Sequence, residues 1–133
     1  MDERAPLLAS AANFRVLIDG VDIGLSHVTG MTSADDAVQR AATVTLRRAV
    51  IGDRTLFEWR RDVAAGRADP REVVVEVYVP DHSTLVASWA LLEARPVRWS
   101  GPDLDAIAGG VAFEELELTY DRVDWRFPKP RED

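Results

Sequence analysis

Hydrophobic residues at every second position recur through most of this chain and predict a protein built mainly of β-strands. In the segment "FRVLIDGVDIG", Phe14, Val16 and Ile18 occupy alternate positions, which is typical of a strand with one buried face. The dipeptide Asp19-Gly20 follows, and it favours the positive φ angles of a two-residue turn. The segment therefore predicts a β-hairpin.

Four later segments continue the strand pattern. They lie at 38–48, 71–79, 85–99 and 110–125. Pro96 interrupts the third of them, and a proline inside a strand pattern indicates a bend or a bulge. In the last segment the apolar phase changes between Phe113 and Leu116, which predicts a β-bulge at Glu114-Glu115.

One segment, "DRTLFEWRRDVAAG", has the spacing of an amphipathic helix. Leu56, Trp59 and Val63 form a single apolar stripe, so we expect these three side chains to pack the helix onto the core. Thr55 and Glu58 have the spacing of a capping box, in which each side chain accepts a hydrogen bond from the other residue's backbone amide.

Gly66 and Pro70 end this helix, and short turns join most of the strands. Such connections favour a mainly antiparallel β-barrel or sandwich with one flanking helix. We predict a flexible N-terminal arm at 1–13, a single β domain at 14–125 and a polar C-terminal tail at 126–133.

Composition narrows the class of protein. With 133 residues, 47% hydrophobic and 29% charged, the chain can bury the core of one domain. The net charge of −7 argues against binding nucleic-acid phosphates over a broad surface, and the absence of cysteine excludes disulfides and thiolate sites. The start "MDERAPLLAS" lacks an apolar signal core, so we expect synthesis and folding in the cytoplasm, without membrane binding.

Catalytic signals are weak. His27 and His82 stand at turns or strand ends without a partner at metal-ligand spacing. Glu115 and Glu117 alternate with leucines, which predicts a solvated face or a subunit contact rather than a catalytic pair. Asp103 is interpreted as a turn residue that accepts hydrogen bonds from its own backbone. We therefore predict no enzymatic activity, no cofactor and no metal.

A local group of arginines remains in this acidic chain. We interpret it as a solvated face or as a set of ion-pair partners, and it comprises Arg47, Arg48, Arg54, Arg60 and Arg61.

Four segments also carry sequence motifs in a fixed order. They are "FRVLIDGVDIGLSHVTGM", "TLRRAVIGDRTLFEWRRDVAAG", "SWALLEARPVRWSGPDLDA" and "VAFEELELTYD". Together they resemble the tail tube proteins of T4-type phages, a family shared with extracellular contractile injection systems. The third segment resembles the family through Trp89, Ala94, Pro96, Gly101, Pro102, Asp103, Leu104 and Ala106.

This resemblance implies a barrel or sandwich similar to the Hcp protein of type VI secretion. It also implies hexameric rings that stack into a hollow tube inside a contractile sheath, with sheath and baseplate proteins as partners and with DNA or cargo in the lumen. The turn in "RPVRWSGPDLDA", residues 95–106 of the third segment, would then contact a neighbouring subunit or ring. Its candidate residues are Pro96, Trp99, Gly101, Pro102, Asp103 and Leu104. Trp99 has two open roles, as an interface anchor or as a plug of its own barrel end.

One segment departs from the family pattern. Residues 32–42, "TSADDAVQRAA", are shorter than the extended hairpin that tube proteins usually carry there. The alternative function is therefore a tube-fold initiator, adaptor or terminator, which forms a single ring at the baseplate or cap end.

Overall fold

The computed structural model describes residues 6–33 and 42–129. Within these ranges the chain forms eight strands and one helix: β1 (Phe14–Ile18), β2 (Val21–Ile23), β3 (His27–Thr29), β4 (Ala42–Ala49), α1 (Thr55–Ala64), β5 (Arg71–Tyr78), β6 (Leu85–Ser100), β7 (Phe113–Tyr120) and β8 (Arg122–Phe127). Val38 and Arg40, at the start of the strand predicted over 38–48, lie outside the described residues, as does most of the 32–42 segment.

The strands pair antiparallel in the order β2-β1-β5-β6-β7-β4-β3, and β8 pairs with β6. This arrangement confirms the mainly antiparallel β class with one helix. The first part of β6 joins β5 and β8, and its last residues join β7. The strand therefore links two groups of strands, and both groups contribute side chains to one buried core.

A bend in β6 makes this double pairing geometrically feasible. Glu93 has a positive φ of 57°, and the pairing with β7 shifts register between Pro96 and Arg98. The side chain of Pro96 is fully buried at this irregularity. The predicted interruption at Pro96 is thus confirmed as a bulge, where a proline needs no ladder hydrogen bond.

The bulge predicted at Glu114-Glu115 is wrong. β7 pairs with β4 without a shift from Phe113, opposite Ala49, to Tyr120, opposite Ala42. The prediction failed because Glu114 occupies an inward position where the strand pattern expects a hydrophobic side chain. The side chain of Glu114 is only 4% exposed. Glu115 lies on the outer face, as predicted.

β8 extends the line of β7 along β6. Leu92 pairs with Arg122, and three residues further along β6, Arg95 pairs with Thr119. The pairing advances by three residues on both sides, so β7 and β8 together form one long ribbon with β6. β8 ends at Phe127, two residues beyond the predicted domain limit.

The N-terminal residues next to β1 also contact the sheet. Tyr78 of β5 accepts a backbone hydrogen bond from Ser10 and donates one to Asn13, each at 2.8 Å. The last part of the predicted 1–13 arm is therefore held by β5. The predicted hairpin turn is confirmed, because Asp19 and Gly20 have φ angles of 49° and 82°.

The helix lies against the sheet through its apolar stripe. Leu56 and Trp59 are 0% and 1% exposed, and Val63 packs beside them half-buried. The Trp59 indole Nε1 donates to the carbonyl oxygen of Asp69 at 2.9 Å, and the Arg71 guanidinium lies 4.7 Å from the centre of the Trp59 ring. The hydrogen bond satisfies the one polar group of the buried tryptophan. The guanidinium adds a cation–π interaction with the ring.

The start of the helix differs from the predicted capping box. Thr55 is the first helical residue, and its amide and hydroxyl donate to Asp53 Oδ1 at 2.9 and 2.6 Å. Glu58 instead forms an ion pair with Arg54. The capping box is therefore wrong, because the aspartate two residues earlier holds the threonine hydroxyl.

The end of the helix follows the prediction at Gly66. This residue has a φ of 99°, and its amide donates to the Val63 carbonyl oxygen at 3.0 Å. The Arg67 amide donates to the Asp62 carbonyl oxygen at 3.1 Å. The two bonds form a Schellman motif, which favours glycine at the left-handed position.

Replacing Trp59 with alanine will test the helix–sheet contact. Because the side chain is 1% exposed, we expect Trp59→Ala to lower the free energy of unfolding by about 3–5 kcal/mol in urea titrations. Phe57→Ala is the matched control on the same helix, and we expect it to cost clearly less because Phe57 is 42% exposed. Equal losses for both variants would contradict this assignment of the core face.

Candidate assembly surface

The segment between β6 and β7, residues 101–112, is here called the assembly loop. Its centre is a turn in which Asp105 Oδ1 accepts hydrogen bonds from the amides of Ile107 and Ala108 at 2.9 and 3.0 Å. The Gly109 amide donates to the Asp105 carbonyl oxygen at 2.9 Å. The aspartate that fixes the turn is thus Asp105 and not Asp103, which corrects the sequence interpretation.

The assembly loop carries large apolar side chains into solvent. Ile107 is 97% exposed and Leu104 is 81% exposed, although the backbone amide of Ile107 is held by Asp105. Val50 and Ile51 are also exposed, and the Val50 amide donates to the carbonyl oxygen of Ala112 at the end of the loop. Leu104 and Ile107 lie three positions apart on one loop, and grouped exposed apolar side chains are typical of interaction surfaces.

The predicted contact residues fall into two groups. Gly101, Asp103 and Leu104 are exposed and Pro102 is half-buried, so all four are within reach of a neighbouring molecule. Pro96 is fully buried in β6. It shapes the strand and has no surface for direct contact, which corrects its interpretation as a contact residue.

Trp99 lies at the base of the assembly loop. Its indole Nε1 donates to Glu114 Oε1 at 2.9 Å, and its ring meets Phe57 edge to face with the ring centres 5.0 Å apart. A Cβ atom at Gly101 would stand 3.1 Å from the Trp99 ring, closer than side chains ordinarily pack. Trp99 thus supports the loop from below, and its polar atom is engaged within the subunit.

Glu114 belongs to a buried ionic cluster that joins the sheet, the helix and the loop base. Arg48 Nε donates to Glu114 Oε2 at 3.0 Å, directly across the β4–β7 pair. Arg48 also donates from Nη1 to Asp53 Oδ2 at 3.3 Å and from Nη2 to the Asp53 carbonyl oxygen at 2.9 Å. Both oxygens of Glu114 are therefore occupied, one by Arg48 and one by Trp99.

The sequence analysis missed this cluster. Arg48 is 2% exposed, so its interpretation as part of a solvated face is wrong, although it is an ion-pair partner. The alternation of the two strands could have revealed it. Arg48 lies on the same inward face as Leu46, and Glu114 lies on the same inward face as Leu116. A buried charge with a buried counter-charge is the exception to the rule that charged residues point outward.

The other predicted arginines are at least partly exposed. Arg47 lies over the Phe113 ring at 4.1 Å and 3.6 Å from Glu115, Arg54 pairs with Glu58, and Arg61 pairs with Asp62. Arg60 forms no ion pair within residues 6–33 and 42–129. The group is thus partly paired and partly available to other molecules.

The two histidines, which the sequence analysis interprets as non-catalytic, each pack against an aromatic ring. His27 meets Phe113 edge to face, and His82 stacks on Tyr78. Within the described ranges, no three His, Asp or Glu side chains converge into a metal-ligand set. The helix of this part of the chain is too short to serve as a membrane span.

A family comparison assigns the chain. The family model described as T4-like virus tail tube protein gp19 matches residues 36–124, well over half of the sequence. The chain belongs to this family, as its motifs indicated, and the structural nature of the family indicates a non-enzymatic role. Among curated protein sequences, none matches this chain significantly.

Solved structures share the fold over most of the chain. A chain of the PVC extracellular contractile injection system sheath–tube complex has a TM-score of 0.77 at 21% identity, covering 90% of this chain and 91% of that one. The tube-terminating cap of the anti-feeding prophage has a TM-score of 0.79 at 17% identity, covering 95% of both chains. Hcp1 from Flavobacterium johnsoniae has a TM-score of 0.63 at 15% identity, covering 85% and 94%. The predicted tail-tube and Hcp-like fold is confirmed.

Neutralising Glu114 will test the buried cluster. Because Glu114→Gln leaves Arg48 without its buried counter-charge, we expect a loss of about 3–5 kcal/mol in the free energy of unfolding. Glu115→Gln is the control at the next position, where the side chain is exposed, and it should change stability by less than about 0.5 kcal/mol. Similar losses in both variants would refute the special role of Glu114.

Acid titration will test the link between Asp53 and the helix start. Hydrogen bonds from Thr55, and to a smaller extent the charge of Arg48, hold the pKa of Asp53 below its ordinary value of 3.8. The stabilising effect of ionised Asp53 is therefore complete above that value and is lost as the pH falls through the lower pKa of the folded state. We expect the stability difference between the wild type and Asp53→Asn to stay constant down to about pH 5 and to shrink as the pH falls further, measured by urea denaturation. A pH-independent difference would contradict this assignment.

Proposed function

We propose that this protein is a structural subunit of the inner tube of a contractile phage tail or contractile injection system. In this function the chain forms homo-hexameric rings that stack inside a sheath, contact baseplate proteins and enclose a lumen for DNA or cargo. The subunit performs no turnover and needs no cofactor. It is assembled in the cytoplasm and becomes part of the particle.

The observation that carries the proposal is the family match over residues 36–124. The exposed apolar tip of the assembly loop supports it, because a loop with a hydrogen-bonded backbone loses little conformational entropy when a neighbour covers it. Two of these partners appear in the names of similar solved structures, the sheath in the PVC sheath–tube complex and the baseplate in that of the anti-feeding prophage.

A second candidate function is a single-ring initiator, adaptor or terminator. The short 32–42 segment favours it, because the resemblance to tube proteins implies a longer, extended hairpin at this point of the chain. Likeness of fold does not separate the two functions, since the cap of the anti-feeding prophage and the PVC tube match this chain about equally well.

Electron microscopy of native particles will distinguish the two functions. A tagged copy is expressed in the native cell, the particles are purified through the tag, and gold-labelled tag is located in negative stain. We expect label along the whole length of the tube. Label restricted to one end would establish the single-ring function instead, and a tagged monomer without any particle would refute both.

A further inference from the structure

A groove between α1 and the last residues of β6 carries arginines, whereas the assembly loop carries aspartates. This helix groove has a volume of ≈ 380 Å³, and its lining includes three large apolar residues and three arginines. We call Phe57, Val97 and Trp99 its floor, and we call Arg60, Arg61 and Arg98 its rim. Phe57 and Val97 are each 42% exposed. The groove therefore offers both apolar area and positive charge to a ligand.

The positive charge of the helix groove is only partly neutralised by the subunit itself. Arg60 and Arg98 form no ion pair with any residue in the described part of the chain. Arg61 contacts Asp62 at 3.3 Å, and this pair is exposed to solvent. Because exposed pairs contribute little, the rim remains available to carboxylates from another molecule.

The assembly loop combines acidic and exposed apolar side chains, which complement the arginines and apolar residues of the helix groove. Asp103 and Asp105 alternate with Leu104 on a short segment that ends in Ile107. One oxygen of Asp105 accepts the two turn hydrogen bonds, and Asp103 has no ion pair within the described ranges. The exposures of 81% for Leu104 and 97% for Ile107 show that the loop does not fill the groove of its own subunit.

We propose that the assembly loop of one copy docks into the helix groove of the neighbouring copy, with Leu104 and Ile107 on the apolar floor and the loop carboxylates against the arginine rim. The inference rests on the proposed self-assembly and identifies its contact. The occupant is a second copy because this chain itself carries a loop that complements the groove in charge and in apolar character.

Net charge favours such a local contact. Copies with a charge of −7 repel one another at a distance, and a contact where opposite charges meet lowers this electrostatic cost of association. The loop and the groove are also different surfaces of one chain. A contact of this head-to-tail type passes from copy to copy, and it closes into a ring when the rotation allows.

Trp99 couples the two surfaces within each subunit. Its ring forms part of the groove floor and also supports Gly101 at the base of the assembly loop. Glu114 holds the indole nitrogen, and Arg48 holds Glu114. The buried cluster therefore fixes the angle between loop and groove, which the curvature of a ring requires to be constant.

Disulfide cross-linking will test the contact directly, because the chain contains no cysteine. The variant Ala64→Cys/Ala108→Cys places one thiol in the groove and one beside the loop tip, both at exposed alanines. It replaces the wild type in the native cell, is oxidised there, and is analysed on non-reducing gels. We expect a ladder that extends beyond the dimer, since each copy then bonds to two neighbours.

Matched controls separate this contact from random collisions. Each single-cysteine variant can form only dimers, and Ala12→Cys/Ala108→Cys pairs the loop with an exposed alanine outside the groove. Particles without a ladder, or an equal ladder from the control pair, would overturn the docking proposal and leave the proposed function intact. Absence of any particle in wild-type cells would refute the proposed function, and the docking proposal with it.

Charge reversal gives a second, independent measurement on the same cross-linking pair. Arg60→Glu and Asp103→Arg should each reduce the yield of the ladder by roughly tenfold, and the two together should restore most of it. Unchanged yields in both single variants would overturn the pairing of loop carboxylates with the arginine rim.

Discussion

The buried ion pair between Arg48 and Glu114 is the interaction on which the arrangement of this protein depends. It crosses β4 and β7 at directly opposed positions, and its side contacts reach Trp99 on β6 and Asp53 before α1. Removing two charges from water is costly, and the cost is offset only when every partner is in place. Four elements therefore adopt their positions together, and the base of the assembly loop takes its geometry from this cluster.

The long strand β6 provides the second constraint. Its bend near Pro96 allows one strand to pair with β5 and β8 at one end and with β7 at the other. The residues after the bend supply Val97, Arg98 and Trp99 to the helix groove, and the chain then turns directly into the assembly loop. The bend in β6 thus joins the two groups of strands around the core, and it also places the two proposed contact surfaces next to each other.

Much of this fold could be predicted from local patterns. Alternation located β1, β5 and β6, the Asp19-Gly20 pair located the first turn, and the apolar stripe located α1. The strand β3 was missed because three residues are too few for a periodic signal. Glu114 was misjudged because its inward position depends on Arg48, 66 residues away, and local periodicity contains no information about such a distant partner. The order of the motifs identified the family, whereas the helix groove became visible only once α1 and β6 were placed side by side.

The pairing of β4 with β7 has a consequence for the timing of biosynthesis. During translation Arg48 leaves the ribosome well before Glu114, so β4 has no partner strand on that side until β7 has been synthesised. Trp99 and the residues of the assembly loop leave the ribosome in this interval, before the carboxylate that orients the tryptophan is free to pair with it. A nascent chain therefore presents an unsupported loop, and only the finished polypeptide presents the rigid one.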